Sequence, residues 1–485
     1  MWSIPATTIG VPLSSRPTTK TPVTLTRSTR CWSGSVSGCT RACARCVTSW
    51  STAAPTSAIS RAGPRAGRSS SAVGRASPVG RPCLPGRRYG HARSSALAAV
   101  ISGGPVAAPV AEAVLGLYLH IPFCDAICNY CNFNRGLLDA ELKARYLVAL
   151  EGEIARASEA TPVDTIFFGG GTPSVLTPTE VETLLSVCRD AFDLRPGAEI
   201  TLEMNPEGAS NDRLHGYRAA GINRLSLGIQ SFRDEELQRL GRLHSAGRAV
   251  EAFWTARAAG FDNISLDLMV WLPEQTVIAW MESVEQLISM GPDHASLYLL
   301  ELYPNAPLRE EMARGSWEQA PDEAAVEMYH CGLAALEDAG YRQYEISNVA
   351  RPDHRSRHNL KYWSGGEWLG FGCGAHSTRG RRRWKNVSDI GDYAARMEAG
   401  EAVVGSSREL SDEERLTDTM FLGLRLVEGI DLGLIEARFG QDPWDRWGSK
   451  LEPFVAAGLL VREQRRLRLT REGMLLANEI MQVFV

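Results

Sequence analysis

The sequence predicts an α/β fold, a partial (β/α)6 barrel with a small, mostly helical C-terminal domain and a disordered N-terminal tail. Three observations support this: the composition changes near residue 111, short apolar runs then alternate with amphipathic helices, and from about residue 410 the pattern is mostly helical. Repeated strand–helix units are typical of a parallel sheet covered by helices. The predicted regions are the tail 1–111, the barrel 112–345, a connecting segment 346–409 and the C-terminal domain 410–485.

The tail has a composition of its own. Residues 1–111 contain fourteen Arg and Lys residues and no Asp or Glu, whereas the remainder contains 38 basic and 56 acidic residues. The tail is rich in Ser, Arg, Pro and Gly, and it lacks the apolar periodicity that would offset the entropy of ordering, so we expect disorder. A targeting sequence fits the same composition. An over-long start assignment, with the tail outside the working protein, is a third interpretation.

Six strands and their crossover helices are expected in the barrel. The strands are Leu115–Ile121, Thr165–Phe168, Glu199–Met204, Arg224–Ile229, Asn263–Met269 and Ala295–Leu300. Helices long enough to cross back over the sheet are expected at Asp139–Ala160, Glu180–Ala191, Ser245–Ala259 and Gln275–Met290. In such folds the chemistry lies in the loops at the carboxyl ends of the strands.

The C-terminal pattern of helices, a short alternating segment from Leu460 to Leu469 and a last helix from Arg471 resembles a winged helix. Winged helices often bind nucleic acid, but this domain has no concentrated basic face, so we expect no nucleic-acid partner. No run of 18 or more apolar residues occurs, which predicts no integral membrane segment. The eleven cysteines are irregularly placed, which favours a reducing cytoplasm and metal ligation over a disulfide framework.

Cys124, Cys128 and Cys131 lie in the string HIPFCDAICNYCNF, directly after the first predicted strand. Three thiolates from one loop can hold three irons of a [4Fe–4S] cluster, leaving the fourth iron open to a small chelating ligand. Partial zinc ligation or coincidence would give the same spacing.

A second cysteine set shows that spacing alone does not decide. Cys39, Cys43 and Cys46 in CTRACARC are spaced identically, but they lack a preceding strand, an aromatic residue beside the last cysteine and a following glycine loop. We interpret them as coincidence. The set at Cys124 has all three features, with Tyr130 before Cys131 and the string FFGGGTP after the second strand.

These residues resemble the radical S-adenosylmethionine (SAM) superfamily, whose members share the CxxxCxxC loop with an aromatic before the third cysteine. More narrowly, the chain from about Leu115 to Val485 resembles the oxygen-independent coproporphyrinogen III oxidase (HemN)-like family, and most of all its haem-chaperone branch. The resemblance implies a [4Fe–4S] cluster on Cys124, Cys128 and Cys131, with SAM as the second cofactor. It assigns no catalytic residue.

The resemblance also implies a set of SAM contacts. The GGGTP element would contact the amino and carboxylate groups of SAM, and Tyr130 could lie against the adenine. A carboxylate or amide that ends an apolar strand can bind a ribose or an ammonium group, although each such residue taken singly could simply meet solvent. The implied contacts are Tyr118, Tyr130, Gly170, Gly171, Thr172, Glu203, Gln230, Arg242 and Asp267.

One stretch departs from the family pattern. Where relatives have a run like DLIYGLPGQT, this chain reads DLMVWLPEQT, with Trp271 and Glu274 at positions where glycine is usual. A bulky indole and a charge at turn positions would reshape this loop, which puts in doubt the substrate contacts on this side of the barrel.

The string HNLKYW carries an HNxxYW pattern at His358, Asn359, Tyr362 and Trp363 that resembles the haem-chaperone branch. An imidazole can ligate haem iron, and neighbouring aromatic rings offer flat apolar faces to a tetrapyrrole. The resemblance therefore makes His358 a haem-ligand candidate. A histidine beside asparagine is otherwise most often a hydrogen-bonding residue.

Two functions of different classes follow. One is SAM-dependent oxidative decarboxylation of coproporphyrinogen III; the other is haem binding and delivery to a haem-accepting protein. Either involves haem or a porphyrinogen and an electron donor. Phe133 stands where the oxidase branch typically has a further cysteine. The oxidase branch also tends to have a folded N-terminal segment, whereas this chain has low-complexity sequence there. Both differences favour the chaperone. A radical SAM enzyme acting on an unrelated substrate is the third hypothesis.

Overall fold

The computed structural model describes residues 114–304 and 306–485. The expectations for residues 1–111, including those for Cys39, Cys43 and Cys46, lie outside the described residues. The strands of the first half are β1 Leu115–Ile121, β2 Phe123–Cys124, β3 Gly136–Leu137, β4 Glu159–Gly170, β5 Phe192–Met204, β6 Arg224–Gln230, β7 Ile264–Val270 and β8 His294–Leu299.

The six expected strands form one parallel sheet in the order β1, β4, β5, β6, β7 and β8. Their burial is nearly continuous, as expected of parallel strands covered on both faces. Strand β1 pairs on its other side with β11, and β8 pairs on its other side with β10, so β1 and β8 do not pair with each other. The six strands therefore form an open, partial barrel. The predicted fold class is confirmed.

The helices of the first half lie between these strands. They are α1 Ala140–Arg156, α2 Pro178–Ala191, α3 Asn211–Ala220, α4 Asp234–Arg239, α5 Ala246–Ala258, α6 Val277–Met290, α7 Pro307–Gly315 and α8 Asp322–Asp338. Side-chain caps mark their starts: Thr177 and Glu180 form a reciprocal capping box at α2, and Ser245 and Thr276 cap α5 and α6.

Two elements differ from expectation in length. Strands β4 and β5 begin six and seven residues earlier than predicted, at Glu159 and Phe192, and their extensions pair with each other through irregular registers. Helix α1 ends at Arg156 because this early strand follows it. The extensions mix apolar residues with Pro, Gly and charged residues and are partly exposed, so they lack the apolar run that indicated the inner parts of these strands.

The segment between barrel and C-terminal domain belongs to the main sheet. After β9 Arg342–Gln343, which ends the predicted barrel region, this segment contains β10 Asn348–Ala350, α9 Arg357–Trp363, β11 Trp368–Phe371, β12 His376–Arg379, β13 Arg382–Asn386, α10 Ile390–Glu398 and β14 Val404–Glu409. Strand β11 pairs parallel with β1, and β12 to β14 follow antiparallel, while β10 pairs with β8. Residues expected only to connect therefore extend the sheet to twelve strands.

The C-terminal region has its own core, built around Trp447, Leu451 and Ile480. Its elements are α11 Asp412–Gly423, β15 Ile430–Asp431, α12 Leu432–Phe439, α13 Pro443–Ala456, β16 Leu460–Glu463, β17 Arg466–Leu469, α14 Arg471–Leu475 and α15 Ala477–Met481. A small antiparallel sheet in the order β15, β17, β16 together with helices α11 to α15 matches the expected winged-helix-like arrangement. An isolated antiparallel β-bridge between Glu345 and Leu426 joins this region to the segment between β9 and β10.

Among the helices of residues 114–304 and 306–485, none is long and apolar enough to cross a membrane.

Candidate functional site

The three cysteines lie on the loop that follows β1, at the carboxyl end of the barrel strands. Cys124 ends the short strand β2 and is buried, whereas Cys128 and Cys131 are half-buried; none forms a disulfide. Their thiols influence one another electrostatically, since Cys128 and Cys131 both help to raise the pKa of Cys124. The structure thus brings the three predicted ligands to one loop.

No group of three or more His, Cys, Asp or Glu side chains in the described residues has metal-binding geometry. Each thiol nevertheless lies beside a donor or a cation. Thr172 Oγ1 donates to Cys124 Sγ at 3.3 Å, Arg242 Nη1 approaches Cys128 Sγ at 3.4 Å, and the charge of Arg135 acts to lower the pKa of Cys131.

These surroundings fit a cluster bound by thiolates. Burial raises the pKa of Cys124 to about 11, and burial also raises that of Cys131, so both are held as thiols until a metal replaces their protons. Hydrogen-bond donors and cations beside the sulfurs stabilise the thiolates once they form, and such donors tune the potential of bound clusters. The residues present therefore suit the [4Fe–4S] group that the sequence predicts.

Backbone and side-chain hydrogen bonds fix the cysteine loop. Pro122 O and Cys124 O accept from Gly136 N and Leu138 N at 2.7 and 2.9 Å. Asn129 Nδ2 donates to Arg239 O at 2.7 Å and to Glu311 Oε2 at 2.6 Å, which joins the loop to α4 and α7. The loop is thus held from both sides of the barrel mouth.

The glycine loop after β4 packs directly on the first cysteine. A side chain at Gly171 would place its Cβ 2.9 Å from Cys124 Sγ and 2.8 Å from Phe123 O, so this position requires glycine. Gly170 has φ of 124°, and its N–H donates to Glu203 Oε2 at 3.3 Å. Gly170, Gly171, Thr172 and Glu203 therefore meet at one point, next to Cys124.

A residue that the sequence analysis did not single out links the two halves of this site. Asn205, in the string TLEMNP, donates from Nδ2 to Thr172 Oγ1 at 3.3 Å and accepts at Oδ1 from Arg242 Nη2 at 2.8 Å. A continuous network thus runs from Cys124 through Thr172, Asn205 and Arg242 to Cys128. The signal for Asn205 in the sequence was that it is a polar residue directly after the end of a strand.

Arg242 is buried inside this network. Burial alone would lower its pKa, yet the pKa of the guanidinium is raised because Tyr130 and Cys128 lie beside it. Gly228 O accepts from Arg242 Nη2 at 2.9 Å. The ring of Tyr130 packs against the apolar group of Leu240, Met269, Leu272, Leu300, Leu308 and Met312, and burial raises the pKa of its hydroxyl.

The remaining predicted contacts lie on the inner side of the sheet. Tyr118 on β1 stacks on Phe167 at 6.3 Å, and its pKa is raised by burial and by nearby Glu203. Asp267, in the middle of β7, accepts from the hydroxyls of Ser226 and Ser265. These hydrogen bonds hold the carboxylate of this predicted ligand contact against the neighbouring strand β6.

Gln230 ends β6 in a strained conformation. Its φ is 69°, in the left-handed region that residues with a side chain rarely adopt, and the β6–β7 register shifts at this point. Its amide folds back over Gly228, where an added Cβ would be 2.9 Å from Gln230 Nε2. Such strain is often found at binding sites, which agrees with the prediction that Gln230 contacts a ligand.

The two unusual turn residues also adopt left-handed backbone. Trp271 has φ of 67° and Glu274 has φ of 61°, the conformation for which glycine is suited. Trp271 Nε1 donates to Ala320 O at 2.7 Å, and Glu318 N donates to Glu274 Oε1 at 2.7 Å. The larger side chains thus tie this turn to residues 318–320, contacts that glycine could not make.

His358 is placed as a core residue. It is fully buried in α9, stacks on Phe167 at 5.2 Å, and both ring nitrogens are bonded, Nδ1 to Thr165 Oγ1 and Nε2 to Tyr362 OH, each at 2.8 Å. Burial lowers its pKa to about 3. Both ring nitrogens of the expected haem ligand are therefore engaged in this arrangement, which favours the hydrogen-bonding alternative, and the assignment of His358 to haem stays a prediction.

Known protein families match both the barrel region and the C-terminal region of this chain. The radical SAM superfamily matches residues 118–287, and the HemN C-terminal domain matches residues 410–476. The chain is 35% identical to the haem chaperone HemW of Bacillus subtilis (strain 168) over 375 residues, which cover 76% of this chain and 98% of the relative. It is 37% identical to a mitochondrial radical S-adenosyl methionine domain-containing protein 1 of Bos taurus over 399 residues, 78% of this chain and 89% of the relative.

A solved structure is similar over the same region. Coproporphyrinogen III oxidase (HemN) from Escherichia coli, described as a radical SAM enzyme, superposes with a TM-score of 0.69 at 25% identity. The match covers 77% of this chain and 90% of that one. The likeness therefore includes both the barrel and the region beyond it.

Proposed function

Because the chain belongs to the radical SAM superfamily and, within it, to the family of the haem chaperone HemW, we propose that it binds haem and delivers it to a recipient protein. The observation that carries this proposal is the 35% identity to a haem chaperone that spans 98% of that relative. Phe133 gives independent support, because the oxidase branch of the family typically has a cysteine at this position.

The family's cofactors are a [4Fe–4S] cluster and SAM. We assign the cluster to Cys124, Cys128 and Cys131, which leaves one iron without a protein ligand. When bound, the two cofactors supply one-electron chemistry that side chains cannot perform. The residues around them have other tasks: Thr172 and Arg242 donate hydrogen bonds to the Sγ atoms of Cys124 and Cys128, and Gly171 leaves room beside Cys124.

SAM is proposed to lie between the glycine loop and the strand ends. The Glu203 carboxylate accepts the Gly170 N–H and so lies beside the glycine loop, where a carboxylate can bind the ammonium group of an amino acid. Gln230 and Asp267 are the proposed contacts on the far side, and Tyr118 and Tyr130 are the aromatic ones. The burial around Tyr130 excludes water from the cysteine loop on that side.

The proposal implies partners and a compartment. Haem or a porphyrinogen is the proposed ligand, a haem-accepting protein the recipient, and a further protein the electron donor; no nucleic acid is proposed. We place the protein in the cytoplasm because its described cysteines are all free thiols, as expected in a reducing compartment. Cell fractionation followed by immunodetection tests this placement.

A haem titration of the anaerobically reconstituted full chain tests the proposed function. We expect saturation near one haem per chain, followed by transfer of that haem to a haem-free globin mixed with it. Both steps are followed by the Soret absorbance after separation of the two proteins. Absence of saturable haem binding by the reconstituted protein would contradict the proposal.

The second candidate is oxygen-independent coproporphyrinogen III oxidation. It is favoured by the structural match to HemN at a TM-score of 0.69 across 90% of that chain. In that case SAM would be consumed in proportion to decarboxylation, whereas a chaperone binds haem without changing it. The two functions are therefore separated by their products.

A further inference from the structure

The carboxylate of Asp267 lies on the same face of the main sheet as that of Glu203. On β7, Leu266 and Leu268 pack into the main core, so Asp267 between them faces the opposite side. The same alternation places Glu203 on that side of β5. Burial raises the pKa of Tyr298, and the charges of Asp267 and Glu203 add to this, so both carboxylates lie near its ring. Asp267 therefore borders the proposed SAM site.

A row of buried hydrogen bonds connects Asp267 to the start of helix α9. Ser265 Oγ donates to Asp267 Oδ1 at 3.2 Å, and His294 Nδ1 lies 2.8 Å from Ser265 Oγ. His294 Nε2 lies 2.8 Å from the hydroxyl of Tyr344, which accepts at 3.3 Å from the N–H of Ser356, the residue that caps α9. The four partners in this row are each at most 1% exposed, so solvent does not compete for these hydrogen bonds.

The direction of each hydrogen bond follows from the carboxylate at the end of the row. A carboxylate only accepts, and the single hydrogen of the Ser265 hydroxyl is directed to it, so Ser265 Oγ accepts from His294 Nδ1–H. Burial lowers the pKa of His294 well below its usual value, so the ring is neutral and Nε2 is an acceptor. Tyr344 O–H therefore donates to Nε2. Every donor in the row points toward Asp267, and hydrogen bonds aligned in this way strengthen one another.

We propose that His294 is a positioning residue for SAM, because its Nδ1–H keeps the hydroxyl hydrogen of Ser265 turned toward Asp267. This inference rests on the proposed SAM site, in which Asp267 contacts the ligand. Without a donor at Nδ1, the Ser265 hydroxyl is free to turn away, and Asp267 keeps the hydroxyl of Ser226 as its remaining serine donor. The carboxylate is then less firmly oriented toward the hydroxyl and cationic groups of SAM. The competing role is structural, with the row stabilising the fold alone.

Two amide variants of His294 separate these roles in the full, anaerobically reconstituted chain. Asparagine carries its amide near the position of Nδ1 and can donate to Ser265, whereas glutamine carries its amide near the position of Nε2, beside Tyr344. We expect His294→Gln to weaken SAM binding about tenfold and His294→Asn to stay within about threefold of the wild type, because hydrogen bonds to charged groups are the strong ones. Equilibrium dialysis with labelled SAM measures the affinity, and urea unfolding measures the stability of both variants.

A double-mutant cycle tests whether His294 acts through Ser265. Ser265→Ala removes the intermediate hydroxyl and should also weaken SAM binding about tenfold. Adding His294→Gln to this variant should cause no further loss, because the hydroxyl on which His294 acts is already absent. The matched control is Ser283→Ala, which removes another buried hydroxyl, one in α6 that accepts from Phe232 N at 3.4 Å, and it should leave SAM binding unchanged.

The other outcomes overturn the proposed role of His294. Equal SAM affinity of the wild type, His294→Gln and Ser265→Ala would show that the row stabilises the fold alone. A larger loss in His294→Asn than in His294→Gln would place the ring hydrogen on Nε2, and additive losses in the double variant would exclude a route through Ser265. Should His294→Gln fold poorly, Ser265→Ala and its control decide. Failure of the wild type to bind SAM would instead contradict the proposed SAM site, while the haem titration tests the chaperone function separately.

Discussion

The cysteine loop from Cys124 to Cys131 and helix α9 from Arg357 to Trp363 both carry side chains that can bind iron, yet they hold them in opposite ways. Around the loop, donors are directed at the thiols, and two of the three cysteines are half-exposed. In α9, the His358 ring is fully buried, and protein hydroxyls occupy both of its nitrogens. The loop is arranged to receive a metal, whereas the helix is arranged to pack.

This difference shows which requirements of a metal ligand a sequence motif does not determine. A pattern such as CxxxCxxC or HNxxYW fixes residue types and spacing, but a ligand also needs a free lone pair and access. In α9 both nitrogens of His358 make hydrogen bonds to protein hydroxyls. Binding of haem iron by His358 would therefore require one of these hydrogen bonds to be replaced.

The largest effect is expected from Cys128→Ala. Two thiolates cannot replace three, so anaerobic reconstitution should yield less than about one iron per chain in place of about four, with loss of the brown absorbance. Iron and sulfide analysis measures this. Cys43→Ala, in the string with identical spacing, is the matched control and should retain the full iron content. Full retention of iron and sulfide by Cys128→Ala would refute the cluster assignment.

Replacing the core histidine should act on stability. His358→Ala leaves Thr165 and Tyr362 without a partner and opens a cavity, so we expect a loss of about 2–4 kcal/mol in the free energy of unfolding. Urea unfolding measures it. The folded fraction should bind haem with wild-type affinity. If haem affinity instead fell more than tenfold at unchanged stability, His358 would be a ligand after all.

The same histidine should make the fold sensitive to acid. Its pKa is about 3 in the folded protein and about 6.5 when unfolded, so the unfolded state alone gains a proton as the pH falls from 6.5 toward 3. Stability present above pH 6.5 is therefore lost on acidification, by about 2 kcal/mol for this group between pH 7.5 and 5.

His358→Gln isolates this contribution from those of other buried histidines. The variant should lose about 2 kcal/mol less than the wild type over the same pH range, because glutamine does not titrate. Parallel urea titrations at pH 7.5 and 5 give the comparison. Equal losses in the two proteins would mean that His358 is not buried and neutral.

A smaller effect is expected from a change beside the cysteine loop. Arg242→Gln removes a cation and a donor 3.4 Å from Cys128 Sγ. Because such donors stabilise the more negative, reduced cluster, its midpoint potential should fall by roughly 50 mV, while the iron content stays near four per chain. Redox titration followed by electron paramagnetic resonance measures the shift. An unchanged potential would show that Arg242 does not contact the cluster sulfur.

The barrel was predictable because its signals are local. Strand β1 has the predicted bounds, and each of the other five inner strands is an apolar run that periodicity detects. By contrast, β11 pairs with β1 across about 250 residues of chain, and β13 is the polar string RRWKN. No local pattern distinguishes such a strand from a loop, since its place depends on the edge that β1 offers.

The residues of the candidate site also divide into those that a short stretch of sequence predicted and those that it did not. The cysteines and the glycine loop were found because several residues share one short string. Asn205 was missed because its partners, Thr172 and Arg242, lie 33 and 37 residues away. The burial of His358 depends on Thr165, 193 residues earlier in the chain. Hydrogen bonds between distant residues decide which members of a motif remain free, and the local pattern does not contain them.

One measurement tests the assignment of a haem chaperone most directly. The anaerobically reconstituted, reduced chain is supplied with SAM, coproporphyrinogen III and haem, and the bound haem, the decarboxylated porphyrinogen and the 5′-deoxyadenosine are quantified together. The account predicts about one tightly held haem per chain and no decarboxylated product. Decarboxylation accompanied by stoichiometric consumption of SAM would contradict it and would establish the oxidase.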